Sequence, residues 1–147
     1  MLLLGTKNIS SQTVLTDGII NLGANYRKYC KKNYCGVTTF SRTDNSVSLQ
    51  HPGIYHITAT LVGSGDVAGD VTVQLLENGV IVPGAFSTQS ITTPTTELRT
   101  FVVDYYVVVD DNCILGNRAV ETKTITLQNT GVDATFTSVV FNVTKEV

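Results

Sequence analysis

Apolar and polar residues alternate along much of this chain, and strict alternation marks a strand with one buried face. From Ile54 to Val62, Tyr55, Ile57, Ala59 and Leu61 share one face, while Ile54, His56, Thr58 and Thr60 share the other. The first set predicts core. Val71 to Glu77 and Val80 to Val82 flank Asn78-Gly79, a pair that tolerates positive φ and predicts a type I′ hairpin. Pro83-Gly84 is expected to end the second of these strands, and Ser87 to Thr96 reads as a polar loop or weak edge strand. Ser46 to Leu49 predicts a strand before the His51-Pro52-Gly53 turn, and Gly63 to Gly69 a small loop containing Asp66. Lys123 to Gln128 points Ile125 and Leu127 inward, Asn129-Thr130-Gly131 forms a turn, and Thr135 to Thr144 aligns Val139, Phe141 and Val143. No stretch repeats apolar residues every three or four positions over ten or more, so no helix is predicted.

Glu97 to Val109 departs from simple alternation. Phe101, Val103, Tyr105, Val107 and Val109 form one apolar face, and Val102, Tyr106 and Val108 with Asp104 make the other nearly as apolar. An antiparallel strand with one wet face does not have this pattern. The second face is expected to be covered by another subunit or by the N-terminal arm. Residues 1–40 read as that arm with the first strands, Val14 to Leu22 supplying one or two, and 41–147 as the main domain. About eight strands in all predict an all-β, antiparallel two-sheet sandwich of jelly-roll type.

Composition supports this. Charged residues are only 15% of the 147, against roughly 25% in average soluble domains. A chain with so few charges is expected to cover part of its surface with partners or copies of itself. Net charge is −2, which gives no general drive toward nucleic acid or membrane. The distribution is uneven, since Arg27, Lys28, Lys31 and Lys32 sit together. Setting them aside leaves six basic residues against twelve acidic. With Tyr26, Tyr29 and Tyr34 they form either a docking segment for an acidic protein surface or a solvated loop with its aromatics packed on the sandwich, with nucleic acid a distant third because the rest of the chain is acidic.

Catalytic chemistry is poorly represented. His51 and His56 lack a metal-ligand spacing, and neither a nucleophile elbow nor a phosphate loop occurs. No enzyme activity and no cofactor are expected. Asp110-Asp111-Asn112 reads as an acidic turn, and it or Asp66 with Asp70 could offer oxygens to calcium, although acidic turns are usually only solvated. Cys30, Cys35 and Cys113 make an odd set, which fits free thiols in a reducing compartment or a Cys30–Cys35 bridge formed later. Met1-Leu2-Leu3-Leu4 lacks the marks of a signal peptide, so synthesis in the cytoplasm without a standard export signal is expected. On that expectation the glycosylation patterns Asn8-Ile9-Ser10 and Asn142-Val143-Thr144 are coincidental.

Three segments together resemble the tumour-necrosis-factor-like and complement-globular-head superfamily, in particular the C-terminal heads of exosporium collagen-like glycoproteins. They are Pro52-Gly53-Ile54-Tyr55-His56-Ile57-Thr58-Ala59, then Val71 through the Asn78-Gly79 turn to Pro83-Gly84, and the closing run Val139-Val140-Phe141-Asn142-Val143-Thr144-Lys145. The likeness covers roughly residues 40–147. It implies a ten-strand jelly roll that trimerises about an axis running through one sheet. Carried over, it turns Ile54, His56 and Thr58 toward neighbouring subunits, and Tyr106 and Val108 join them on the apolar outer face of their strand. A histidine near such an axis would make assembly sensitive to mild acid.

Residues 1–147 show neither the collagen-like stalk nor the signal peptide of such heads, so a head that works without them is expected. Compact heads of this kind also occur among structural proteins of tailed bacteriophages. The expectation is therefore a homotrimeric surface structural protein of a bacteriophage particle, of the capsid-decoration or head-fibre type, found on the virion and in contact with other virion proteins. The alternative is a carbohydrate- or receptor-binding head of a phage tail or a spore surface, with Gly63–Gly69 and Ser87–Thr96 as its binding loops.

Overall fold

A computed structural model describes residues 1–29, 37–114, 117–120 and 122–146. Among them there is no helix. Thirteen strands follow in chain order: β1 (Leu2–Asn8), β2 (Gln12–Val14), β3 (Ala24–Lys28), β4 (Thr38–Ser41), β5 (Ser46–Leu49), β6 (Gly53–Gly65), β7 (Gly69–Glu77), β8 (Val80–Ile91), β9 (Arg99–Val109), β10 (Asp111–Ile114), β11 (Asn117–Val120), β12 (Lys123–Asn129) and β13 (Ala134–Lys145).

The strands form two antiparallel sheets with the core between them. The first has the order β3-β1-β13-β6-β9, with β2 also paired to β13, and the second β4-β5-β12-β7-β8. β10 and β11 form a separate hairpin. The two five-strand paths make an all-β jelly-roll sandwich, as the alternation predicted.

Alternation decides what enters the core. Tyr55, Ile57, Ala59 and Leu61 of β6 are fully buried, as are Ile125, Leu127, Val139, Phe141 and Val143. Phe101, Val103, Val107 and Val109 of β9, beside β6 in the same sheet, join them in one core, which Ile125 and Leu127 enter from the opposite sheet. Phe101 and Phe136 pack edge to face, with ring centroids 5.8 Å apart. The β7–β8 hairpin turns at Asn78 (φ 53°) and Gly79 (φ 78°), the two positive φ values a type I′ turn needs.

Four expectations need correction. Residues 2–8 are no peripheral arm, because β1 lies inside the first sheet between β3 and β13. A register break between Leu2 and Leu4 against β13 turns consecutive residues Leu3 and Leu4 both inward. Nor does β8 stop at Pro83-Gly84. Gln74 faces Phe86 while Leu76 faces Ile81, so two steps along β7 span five along β8. The surplus residues bulge at Gly84 (φ 84°), and pairing then resumes to Ile91. The Gly63–Gly69 loop shrinks to residues 66–68 because β6 runs to Gly65. Finally, Asp110-Asp111-Asn112 is the entry to β10, where Asp111 pairs with Val120, and hairpin pairing overrides weak strand propensity.

The bulge in β8 is closed by Gln74. Its buried Nε2 lies 2.8 Å from the Val82 carbonyl, 3.2 Å from that of Ala85 and 3.0 Å from that of Leu75. One side-chain amide thus satisfies carbonyls that the interrupted ladder cannot reach.

Candidate functional site

The outer face of β6 and β9 is where the structure collects most of the residues singled out from the sequence. Register puts Ile54 opposite Val108, His56 opposite Tyr106, Thr58 opposite Asp104 and Thr60 opposite Val102. All five candidate interface residues, Ile54, His56, Thr58, Tyr106 and Val108, therefore share one face of two adjacent strands. Val102, Tyr106 and Val108 remain 51%, 55% and 46% exposed. The N-terminal strands do not cover them, because β1 and β3 lie at the opposite edge of the sheet.

This face is ordered by its own contacts. The His56 and Tyr106 rings stack with centroids 4.5 Å apart and an interplanar angle of 12°. His56 Nε2 bonds the Asp104 carboxylate, and Nδ1 lies 3.9 Å from Glu146 Oε1. The result is a flat aromatic platform with valines on both sides and carboxylates at its rim.

A second apolar patch lies on β8, at the edge of the other sheet. Val80, Ile81 and Phe86 are all more than half exposed. Val80, Ile81, Val82 and Pro83 line a groove of about 440 Å³ with Tyr105, which reaches it from the inner face of β9. The Glu77–Lys123 ion pair, 2.6 Å long, closes one end.

The basic, tyrosine-rich segment is divided by the structure. Tyr26, Arg27 and Lys28 are exposed on β3, an edge strand. Tyr26 is the extra residue of a bulge between β3 and β1, so its ring crosses Gly5 and its hydroxyl donates to Asn142 Oδ1. A Cβ on Gly5 would sit 2.5 Å from that ring. Tyr29 instead packs partly into the core, with Arg27 5.5 Å above its ring. Lys31, Lys32, Tyr34, Cys30 and Cys35 lie outside the described residues. Gly5 and Asn142 were not legible as partners of this segment, since a register break brings them to it.

Two of the carboxylates considered for calcium are used locally. Asp66 accepts from Thr135 Oγ1 at 2.7 Å and Asp70 from Ser90 Oγ at 2.7 Å. No group of three or more His, Cys, Asp or Glu among the described residues is placed to hold a metal ion. Glu97 has another task, accepting from the Thr93 and Thr92 amides and from Arg99. These amides, Thr93 first, hold its carboxyl down to about 2 and tie residues 92–98 into a closed turn.

A third feature was not foreseen. Asn8, Ser10, Ser11, Gln12, Asn21, Gly23 and Arg42 line a polar pocket of about 320 Å³. Three separate segments build it, at the β1–β2, β2–β3 and β4–β5 connections.

No protein-family model and no curated protein sequence matches the chain. Solved structures do. Eiger TNF from S. frugiperda superposes with a TM-score of 0.67 at 11% identity, covering 99% of this chain and 93% of that one. The fold is a TNF/C1q-like jelly roll. Murine APRIL, in a crystal structure at pH 8.5, gives 0.60 at 9% identity, with 97% of each chain covered. The globular domain of zebrafish complement 1qA gives 0.57 at 8% identity, covering 95% of this chain and 92% of that one. In chain order the β10–β11 hairpin falls between β9 and β12.

Proposed function

We propose that this chain is a non-enzymatic building unit that assembles as a homotrimer and serves as a surface structural protein of a bacteriophage particle, of capsid-decoration or head-fibre type. The observation that carries assembly is the uncovered outer face of β6 and β9. Val102, Tyr106 and Val108 stand about half-exposed beside the stacked His56 ring, with none of the described elements over them. Contiguous apolar surface of this kind is where proteins meet partners.

Two different patches favour a closed ring over a two-fold dimer. A two-fold dimer uses one self-complementary patch, whereas a closed ring joins one patch to a different one on the next copy. Here the β6–β9 face can receive the apolar edge of β8 from a neighbour, and three such contacts close a trimer. The basic strand end at Tyr26, Arg27 and Lys28 stays exposed on β3 for docking to an acidic surface of the particle.

The test is the mass in solution. Wild-type protein is expected to sediment as a trimer at micromolar concentration. Val102, Tyr106 and Val108 each keep about half their surface to bury, or about 1 kcal/mol apiece. Val102→Asp loses one such term and adds an unpaired buried charge, so it is expected to raise the dissociation constant about 100-fold or more. A monomeric wild type, or a V102D variant of unchanged mass, overturns assembly through this face. Mass spectrometry of purified phage particles tests the virion role separately, since the chain is expected there in multiples of three.

The polar pocket favours a second function, a carbohydrate- or receptor-binding head.

A further inference from the structure

We infer that the pocket between the β1–β2 and β4–β5 connections is a binding site for a carboxylate-bearing sugar, such as a uronic acid at the end of a surface glycan. The inference deepens the second function and does not depend on trimerisation.

Much of the pocket wall is fixed in advance. Asn8 Nδ2 and Gln12 Nε2 both donate to the Asn21 carbonyl, at 3.1 and 2.8 Å. Gln12 Oε1 accepts from the Asn21 amide at 2.8 Å, and Asn8 Oδ1 from the Ser10 amide at 3.0 Å. Asn21 Oδ1 accepts from the Gly23 amide at 2.8 Å, and Gly23 takes a φ of 83° that lets the chain turn there. A Cβ on Gly23 would lie 2.2 Å from the Lys7 carbonyl, so only glycine fits. These bonds engage the oxygen of each amide side chain.

What is left over includes several free donors. The Ser10 and Ser11 hydroxyls, Asn21 Nδ2 and the Arg42 guanidinium carry no hydrogen bond or ion pair among the described residues, and no carboxylate lines the pocket. Arg42 extends from the β4–β5 turn, where Ser41 Oγ meets Asp44, so the nearest acid in sequence already has a partner. A planar guanidinium matches a carboxylate through two parallel N–H···O bonds, which a spherical cation cannot do. Hydroxyl and amide donors beside it suit the hydroxyls of a sugar ring. The space of about 320 Å³ accommodates one sugar unit, at the small end for ligand sites in general. The site lies at a loop-bearing end of the sandwich, where an external ligand can reach it.

Titration of isotope-labelled full-length protein with sodium D-glucuronate, followed by amide shifts, tests this. Saturable shifts are expected at residues 8–12, 21–23 and 42, with a dissociation constant of order 1 mM, typical of a single polar contact set. Glucose is expected to bind at least about tenfold more weakly, and inorganic phosphate likewise, because neither offers both a planar carboxylate and ring hydroxyls. Arg42→Ala is expected to weaken glucuronate at least about tenfold. Asn21→Asp, which keeps the acceptor for Gly23 while removing a donor and adding negative charge, is expected to do the same. Both variants should melt within a few degrees of wild type, since neither side chain is buried. Absence of shifts up to about 50 mM, equal binding of phosphate, or full binding by R42A overturns the inference. Preferential binding of glucose in the same pocket also overturns it, yet leaves the receptor-head function standing.

Discussion

Replacing Tyr55 by Phe is expected to make the protein weaker near neutrality and stronger in alkali, with the two stability curves crossing. Tyr55 is fully buried in β6 and donates its hydroxyl to the His51 carbonyl at 2.7 Å. Burial pushes its phenol from 10.0 up to about 12. Between those values the unfolded chain has given up a proton that the folded chain still holds, so rising pH draws the equilibrium toward unfolding. The stabilisation is complete below pH 10 and is lost as pH rises through about 12, a total of ~3 kcal/mol for a shift of this size. Phenylalanine has no proton to lose. It forfeits the hydrogen bond and leaves the His51 carbonyl unpaired, which costs about 1 kcal/mol at every pH. The curves should therefore cross near pH 11, where the wild-type loss has reached that amount. Urea unfolding of both proteins at intervals from about pH 8 to about pH 12 measures the difference directly. A gap that stays constant across that range refutes the assignment of a shifted phenol to Tyr55.

Other consequences can be checked more simply. Thr6 is buried in β1 and its Oγ1 has no hydrogen-bond partner among the described residues, so Thr6→Val is expected to raise stability by about 1 kcal/mol in chemical denaturation. Gln74→Leu removes the amide that serves the carbonyls of the β8 bulge and should cost about 1–3 kcal/mol, with faster hydrogen exchange along residues 82–86. Glu97→Gln weakens the acceptor for the Thr92 and Thr93 amides and should speed their exchange at neutral pH. In the wild type the same loosening is expected only in acid, because this contribution is present above the ordinary carboxylate value of 4.5 and is lost as pH falls through about 2. Gly131→Ala would place a Cβ 2.2 Å from the Asp70 carbonyl and 2.7 Å from the Thr72 amide, both backbone, and is expected to cost at least about 2 kcal/mol in melting experiments.

The residues show why some of this could be read from the sequence and some could not. β6, β9, β12 and β13 each have one buried face, so alternation alone sorted Tyr55, Ile57, Phe101, Val103, Ile125 and Val143 into the core. The same alternation put Ile54, His56 and Thr58 on one outer face and Tyr106 and Val108 on another, and pairing in register then made them one surface. Bulges hid the rest. Leu3 and Leu4 point the same way because the ladder slips between Leu2 and Leu4, and a slip leaves no period to detect. β8 looked finished at Pro83-Gly84 because turn residues inside a bulge resemble turn residues at a strand end. The polar pocket draws on three segments that only topology brings together, so no local motif announces it.

The central position of β13 in the first sheet bears on how the molecule is made. Its partners are β1 and β6, so residues 134–145 must arrive before either neighbour has its second ladder complete. Leu2 pairs with Thr144, and the Lys145 amide donates to the Met1 carbonyl, contacts that span nearly the whole sequence. Such distant closures are slow, since the chain must search a large loop before any bond rewards it. While a ribosome is still adding residues 134–145, β6 lacks its partner on one side and offers an open edge. The sandwich is therefore expected to become resistant to protease all at once, after synthesis has passed Lys145, rather than in stages as the chain emerges.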